Sequence, residues 1–334
     1  MTSLIGHDRA RAAFLAAVGA GTLHHAWLLT GPVGIGKASF AHAVALRLLA
    51  AATDPDLPAG FDVADDHRVT RLLRAGSHPD FRLLERLARK ESKDSGEARA
   101  PDLARNVSVD QVRALLASFA TTPALSSRRV VVIDAIDDLE RGAANALLKG
   151  LEEPPAGTVF LLVSHMPGRL LPTIRSRCRV LRFEPLADDD MARALAETLP
   201  EADQTEVRAL VSAGGGSPGR ALGYAGLDLG ALDAALASIA ADGDRDNARR
   251  LKLAQSLASK AAQPRYEAFL ERVPTFLAHT AAARKGPALR VALGAYQQAR
   301  ELAGAARGLS LDAQATVFEL AGLVARLASA PTTG

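Results

Sequence analysis

Gly31-Pro32-Val33-Gly34-Ile35-Gly36-Lys37-Ala38 follows the spacing of a phosphate-binding loop up to its last position. In G-x-x-x-x-G-K-[ST] the glycines let successive backbone N–H groups turn toward a phosphate, and the lysine reaches its outer oxygens. Gly31, Gly36 and Lys37 meet that pattern, with Gly34 inside it. Ala38 does not, because the hydroxyl that would hold Mg²⁺ is replaced by a methyl group. Ser39 is adjacent, but the next residue of a helix points about 100° away, so it is not expected to substitute. The flanks fit the loop. Ala26-Trp27-Leu28-Leu29-Thr30 is a short apolar run of the kind that forms a buried strand. After the loop, Phe40, Val44 and Leu48 share a helical face, with Ala41, Ala45 and Leu49 beside it. A helix that starts there turns its positive end toward the phosphate position.

Upstream, residues 5–20 are amphipathic, with Ala10, Phe14, Ala17 and Val18 on one face and Arg9 and Arg11 turned outward. Downstream, residues 53–79 read as a loop or insertion with a short helix around Val69 to Arg74. Phe81 to Leu84 fits a second strand, and residues 89–106, charged and broken by Gly and Pro, read as a mobile surface loop. Ser108 and Gln111 form a capping box for a helix that buries Val112, Leu115, Leu116 and Phe119. Arg129-Val130-Val131-Val132-Ile133-Asp134 is a β-branched run with a carboxylate at its C-terminal tip. In open α/β sheets ligands bind at that edge, and an Asp there serves Mg²⁺ in phosphate-loop enzymes. Ala135 follows, where hydrolytic proteins of this kind often carry a Glu that polarises water. A helix over Asn145 to Pro155, a strand over Thr158 to Ser164 and a last strand over Val180 to Phe183 complete an alternation that predicts a parallel sheet with helices on both faces.

Glu184-Pro185 reads as a boundary, and the rest of the chain is helical. Helices over 188–199 and 203–212, and a third opened by Gly214-Gly215-Gly216-Ser217-Pro218-Gly219-Arg220, make a small unit. Residues 230–330 hold further helices, with breaks expected near Gly243, Pro264, Pro274, Gly286-Pro287 and Gly308, and the tail at 331–334 is expected to fray.

The length of 334 residues allows two or three domains of roughly 100–200 residues each. Apolar residues are 48% but aromatics only 4%, which predicts a core of Ala, Leu and Val. A net charge of +3 without blocks of one sign does not by itself argue for nucleic acid, and Arg71, Arg74 and Arg113 read as solvated surface. One cysteine, Cys178, excludes an internal disulfide and a Cys-based zinc site, and His67 and His78 read as solvated or capping residues. No signal peptide and no apolar run of the ~20 residues needed for a membrane helix is present, so a cytoplasmic protein without membrane association is expected.

Asn145-Ala146-Leu147-Leu148-Lys149-Gly150-Leu151-Glu152-Glu153-Pro154-Pro155, followed by Ser176-Arg177-Cys178, resembles the clamp-loader subunits of the AAA+ family. These include bacterial gamma/tau subunits and the eukaryotic replication factor C subunits. The likeness covers residues 1 to about 225, with its motifs in order. It implies an α/β AAA+ nucleotide-binding domain over 1–184, a three-helix lid over 185–225 and an all-α collar over 226–334 that joins subunits in a ring. It implies that Arg177 is an arginine finger, acting in trans on a neighbour's nucleotide, and that Arg220 is the lid arginine that touches a bound nucleotide. Gly31, Gly34, Gly36, Lys37 and Asp134 would line the chain's own site.

The departures point the other way for hydrolysis. Ala38 and Ala135 remove the Mg²⁺ hydroxyl and the water-polarising carboxylate. Ser164-His165 stands where active relatives place a Thr or Asn that senses the terminal phosphate, a role Ser164 would fill in part. The four-cysteine zinc module of many relatives is missing from residues 53–79, so no zinc is expected. The expectation is a degenerate nucleotide site, holding ATP or ADP without hydrolysis or holding neither. The resemblance then implies a non-hydrolysing subunit that helps load the sliding clamp on primed DNA during replication. Its partners would be gamma/tau and delta subunits, with the clamp and primer-template DNA met through the assembled complex. Nucleotidyl transfer by DNA polymerase III would belong to another chain. The alternative is an active gamma/tau-like ATPase. A helicase-loader type of remodeller is disfavoured by Ser176-Arg177-Cys178.

Overall fold

The computed structural model describes residues 4–88, 103–309 and 311–328. Most of the loop expected at 89–106 and the tail at 331–334 lie outside these residues. The chain divides into two compact units, one comprising Met1–Pro200 with Gly215–Gly219, the other Glu201–Gly214 with Arg220–Gly334.

The first unit runs α1 (Asp8–Gly19), β1 (Ala26–Thr30), α2 (Lys37–Ala51), α3 (Arg68–Arg74), β2 (Phe81–Glu85), α4 (Val109–Ala117), β3 (Arg129–Asp134), α5 (Arg141–Glu152), β4 (Thr158–Ser164), α6 (Pro172–Arg175), β5 (Arg179–Arg182) and α7 (Asp188–Thr198). The strands form one parallel sheet in the order β2-β3-β4-β1-β5. The three central strands are buried on both faces, which explains their unbroken apolar runs. Alternate residues serve opposite layers. Trp27, Leu29, Val130, Val132, Leu161 and Val163 pack toward α1 and α2, whereas Leu28, Val131, Ile133, Phe160 and Leu162 pack toward α4 and α5.

Aliphatic residues dominate this core, but the few aromatics are concentrated rather than absent from it. Phe14 packs against Trp27, Phe40 and Phe61, and Phe40 also meets Phe183. Aromatic rings bury more area per residue than any aliphatic side chain, so a low count still anchors one face of the sheet. The predicted capping box is present: Ser108 Oγ accepts from the Gln111 N–H, and Gln111 Oε1 accepts from the Ser108 N–H. His67 caps α3 through Nδ1, and His78 Nδ1 accepts from the Asp80 N–H while the residue is buried rather than solvated. The helix expected from Asn145 begins four residues earlier, at Arg141.

The second unit contains α8 (Gln204–Gly214), the end of α9 (Pro218–Leu222), α10 (Leu229–Asp242), α11 (Ala248–Leu257), α12 (Gln263–Ala282), α13 (Gly286–Leu309) and α14 (Ala313–Ala325). Leu232, Leu236, Leu257, Phe269, Val273, Leu277, Leu320 and Val324 are buried there. One expected break does not occur: Pro274 lies inside α12, whereas α13 ends at Leu309, beside Gly308. In α12 the apolar face Tyr266, Phe269, Leu270, Val273, Leu277 and Ala281 continues past the proline, and that burial outweighs the one lost hydrogen bond. Among the described residues, no helix is long and apolar enough to cross a membrane.

Candidate functional site

The loop between β1 and α2 is held from outside. Every carbonyl from Gly31 to Gly36 accepts a hydrogen bond. Lys37 Nζ donates to Gly31 O (2.7 Å) and to Pro32 O. Ser217 Oγ donates to Val33 O at 2.9 Å, and the Gly219 N–H donates to Gly34 O at 2.8 Å. His7 Nε2–H donates to Ile35 O at 2.6 Å, and the Phe40 N–H donates to Gly36 O at 2.9 Å. In a trans peptide the C=O and N–H point in opposite directions. The N–H groups of Gly34, Ile35 and Gly36 therefore turn away from Ser217, Gly219 and His7, toward the other side of the loop. Gly34 and Gly36 have φ of 77° and 97°, the left-handed conformation by which successive amides form an anion-binding nest.

Lys37 is 2% exposed. Burial pulls its ammonium down to about pKa 8, against the opposing fields of Asp134 and Asp137. Asp134 ends β3 at the same sheet edge as the loop, beside Val163 of β4 and Glu85 of β2. Ala38 and Ala135 contribute no side-chain oxygen to this region. The residues present thus fit the phosphates of a nucleotide, but they lack the side-chain groups through which Mg²⁺ and an attacking water are handled.

Asp137 was not singled out by sequence. It lies in the turn after β3 and accepts from Ser164 Oγ at 2.9 Å, from the His165 N–H and from the Met166 N–H at 3.3 Å. The Ser164 hydroxyl is buried and donates its proton to that carboxylate. Burial lowers the His165 pKa, and the Lys37 charge adds to the effect. His7 was also missed; burial lowers its pKa, and its ring donates to Ile35 O. Neither contact leaves a local signal, because the partners lie 27–29 and 28 residues away.

Arg177 stands at the opposite edge of the sheet. In the parallel pairing of β1 with β5, Arg179 lies beside Trp27 and Arg182 beside Thr30. The phosphate loop starts just beyond Thr30, and Arg177 precedes Arg179. The three steps from Trp27 to Thr30 alone cover about 10 Å. The Arg177 backbone therefore sits at the far end of the strands from the chain's own loop. Its Nη2 is 2.6 Å from Glu152 Oε1, and its Nη1 donates to Thr173 O at 2.9 Å. Arg220 belongs to the second unit, in a cavity of about 340 Å³ lined also by Tyr224, Glu271, Arg272 and Arg300. Among the described residues no group of three or more His, Cys, Asp or Glu is arranged to hold a metal.

A parallel sheet of order β2-β3-β4-β1-β5, a glycine loop after β1 and an acid ending β3, followed by helical regions, define an AAA+ nucleotide-binding fold. The family described as DNA polymerase III, delta subunit, matches residues 6–187, and the chain belongs to it. The chain is 40% identical over 195 residues to DNA polymerase III subunit delta' of Pseudomonas aeruginosa, covering 58% of this chain and 53% of that one. It is 33% identical over 204 residues to subunit delta' of Escherichia coli, covering 61% and 55%. These matches span about half the length of the curated relatives. A gamma subunit-related protein of DNA polymerase III from Thermotoga maritima has a similar structure at 17% identity, with 91% of this chain and 94% of that chain covered and a TM-score of 0.40.

Proposed function

We propose that this chain is a delta-prime-type clamp-loader subunit that hydrolyses no ATP itself and supplies Arg177 to the nucleotide of a neighbouring ATPase subunit. The observation that carries this reading is the placement of Arg177 at the sheet edge opposite the phosphate loop. From there it serves a nucleotide held by another chain rather than its own. An arginine supplied in this way stabilises charge that builds on the transferred phosphoryl oxygens. The family match supports membership in the loader, with gamma/tau and delta subunits as partners and the sliding clamp and primed DNA as the cargo of the assembly. Ala38 and Ala135 support the loss of hydrolysis. The amide nest and Lys37 support retention of a nucleotide, ATP or ADP, as a passive ligand.

The test is DNA-dependent ATPase of a gamma/tau-type partner mixed with this chain. Arg177→Ala is expected to lower it by about 10³–10⁵ at the affected site if the finger acts as it does in GTPases. Unchanged partner activity would remove the assignment. A second reading, an ATPase in its own right, draws on the intact loop and Lys37. Hydrolysis by the isolated chain that Lys37→Ala abolishes would establish it.

A further inference from the structure

We infer that Glu152 is a positioning residue for Arg177, holding the guanidinium against its own chain until a competing anion draws it away. The inference rests on the assignment of Arg177 to a neighbour's nucleotide. Nη2 of Arg177 is engaged by Glu152 and Nη1 by the Thr173 carbonyl. Bidentate recognition of a phosphate uses such a pair of guanidinium nitrogens. These two contacts hold the guanidinium beside Glu152 and Thr173 of its own chain, so extending it toward a neighbour's nucleotide means releasing Glu152.

The position of Glu152 is set by the fold. It is the last residue of α5, which Glu153 caps and Pro154-Pro155 prevent from continuing. A carboxylate in the last turn of a helix faces the negative end of the helix dipole. Such a residue is poorly placed for the helix itself and gains from a cation alongside. Residues 165–183 carry five arginines, Arg169, Arg175, Arg177, Arg179 and Arg182, and no acidic residue. Among the described residues, Arg177 is the one of these five that pairs with an acidic side chain. The pair is partly open, with the side chains 35% and 48% exposed. That makes it weak enough to exchange for a polyphosphate, which carries more charge than one carboxylate.

Two measurements on the full chain test this. In the isolated chain, the rate at which phenylglyoxal modifies Arg177, followed by peptide mass spectrometry, is expected to rise about two- to fivefold in Glu152→Gln, the scale of an exposed ion pair. Glu152→Asp, which keeps the charge, is expected to stay near the original rate, and the urea midpoint reports whether either variant disturbs the fold. An unchanged rate in Glu152→Gln overturns the inference. With a gamma/tau-type partner at subsaturating concentration, Glu152→Gln is expected to raise the stimulated ATPase by a similar factor. Combined with Arg177→Ala it is expected to match Arg177→Ala alone. Unchanged or reduced stimulation in Glu152→Gln, or a rise that persists without Arg177, overturns it. If Arg177→Ala leaves the partner's ATPase unaltered, the finger assignment fails, and the modification rate still decides whether Glu152 holds Arg177.

Discussion

The hydroxyl of Ser217 donates to the carbonyl of Val33 at 2.9 Å, joining positions 184 residues apart. Beside it the Gly219 N–H reaches Gly34 O, and a Cβ on Gly219 would lie 2.8 Å from Gly34 Cα. The phosphate loop is thus braced by a strip of chain that returns to the first unit after α8. Ser217→Ala is expected to cost about 1 kcal/mol, the net worth of one such hydrogen bond. Gly219→Ala is expected to cost about 1–3 kcal/mol by overpacking against loop backbone. Urea unfolding checks both. Gly168→Ala, where a Cβ meets nothing within 4 Å, is the neutral control.

Lys37 gives a pH signature. Its folded pKa is about 8, below the ordinary 10.5, because burial penalises the ammonium. Between these values the unfolded chain binds more protons than the folded one, so this group makes stability rise with pH across that window. Lys37→Met is expected to remove that rise. Urea midpoints of both proteins at several pH values from below 8 to above 10 measure it as a difference. Over the same range, pyrophosphate affinity is expected to fall in the original chain, because the loop loses its cation.

Asp137 is expected to be structurally indispensable to the end of β4. Asp137→Ala strands the buried Ser164 hydroxyl and two backbone N–H groups. Leaving the Ser164 hydroxyl and the His165 N–H unmet costs about 1–3 kcal/mol each, while the exposed Met166 N–H can turn to water. Because Asp137 also supports the Lys37 charge, the variant is expected to lower the Lys37 pKa further. Asp137→Asn is expected to be intermediate in stability, since its NH₂ group would face a donor. Thermal unfolding with a pH series separates the two effects.

Cys178 is a built-in probe of the Arg177 segment. Burial pushes its thiol up to about 12, so the nucleophilic thiolate is scarce near neutral pH. Alkylation by iodoacetamide at pH 8 is expected to be slow in the native chain and to accelerate at least tenfold in urea, as the pKa returns toward about 8.5. Equal rates in the two states would contradict the burial.

The residues that make the loop, the strand ending in Asp134 and the Ser108–Gln111 cap were legible in the sequence by itself. Each is defined by neighbours within a few positions, through helical or strand periodicity and the backbone freedom of glycine. The losses at Ala38 and Ala135 were legible for the same reason. The tertiary structure alone decided the strand order, the long-range braces of the loop by His7, Ser217 and Gly219, the joining of Asp137 to Ser164, and the pairing of Arg177 with Glu152. It also carried α12 through Pro274, because an apolar face sums burial over its whole length while proline disrupts only one turn. Pairings between distant residues depend on how elements stack, and no spacing along the chain records that.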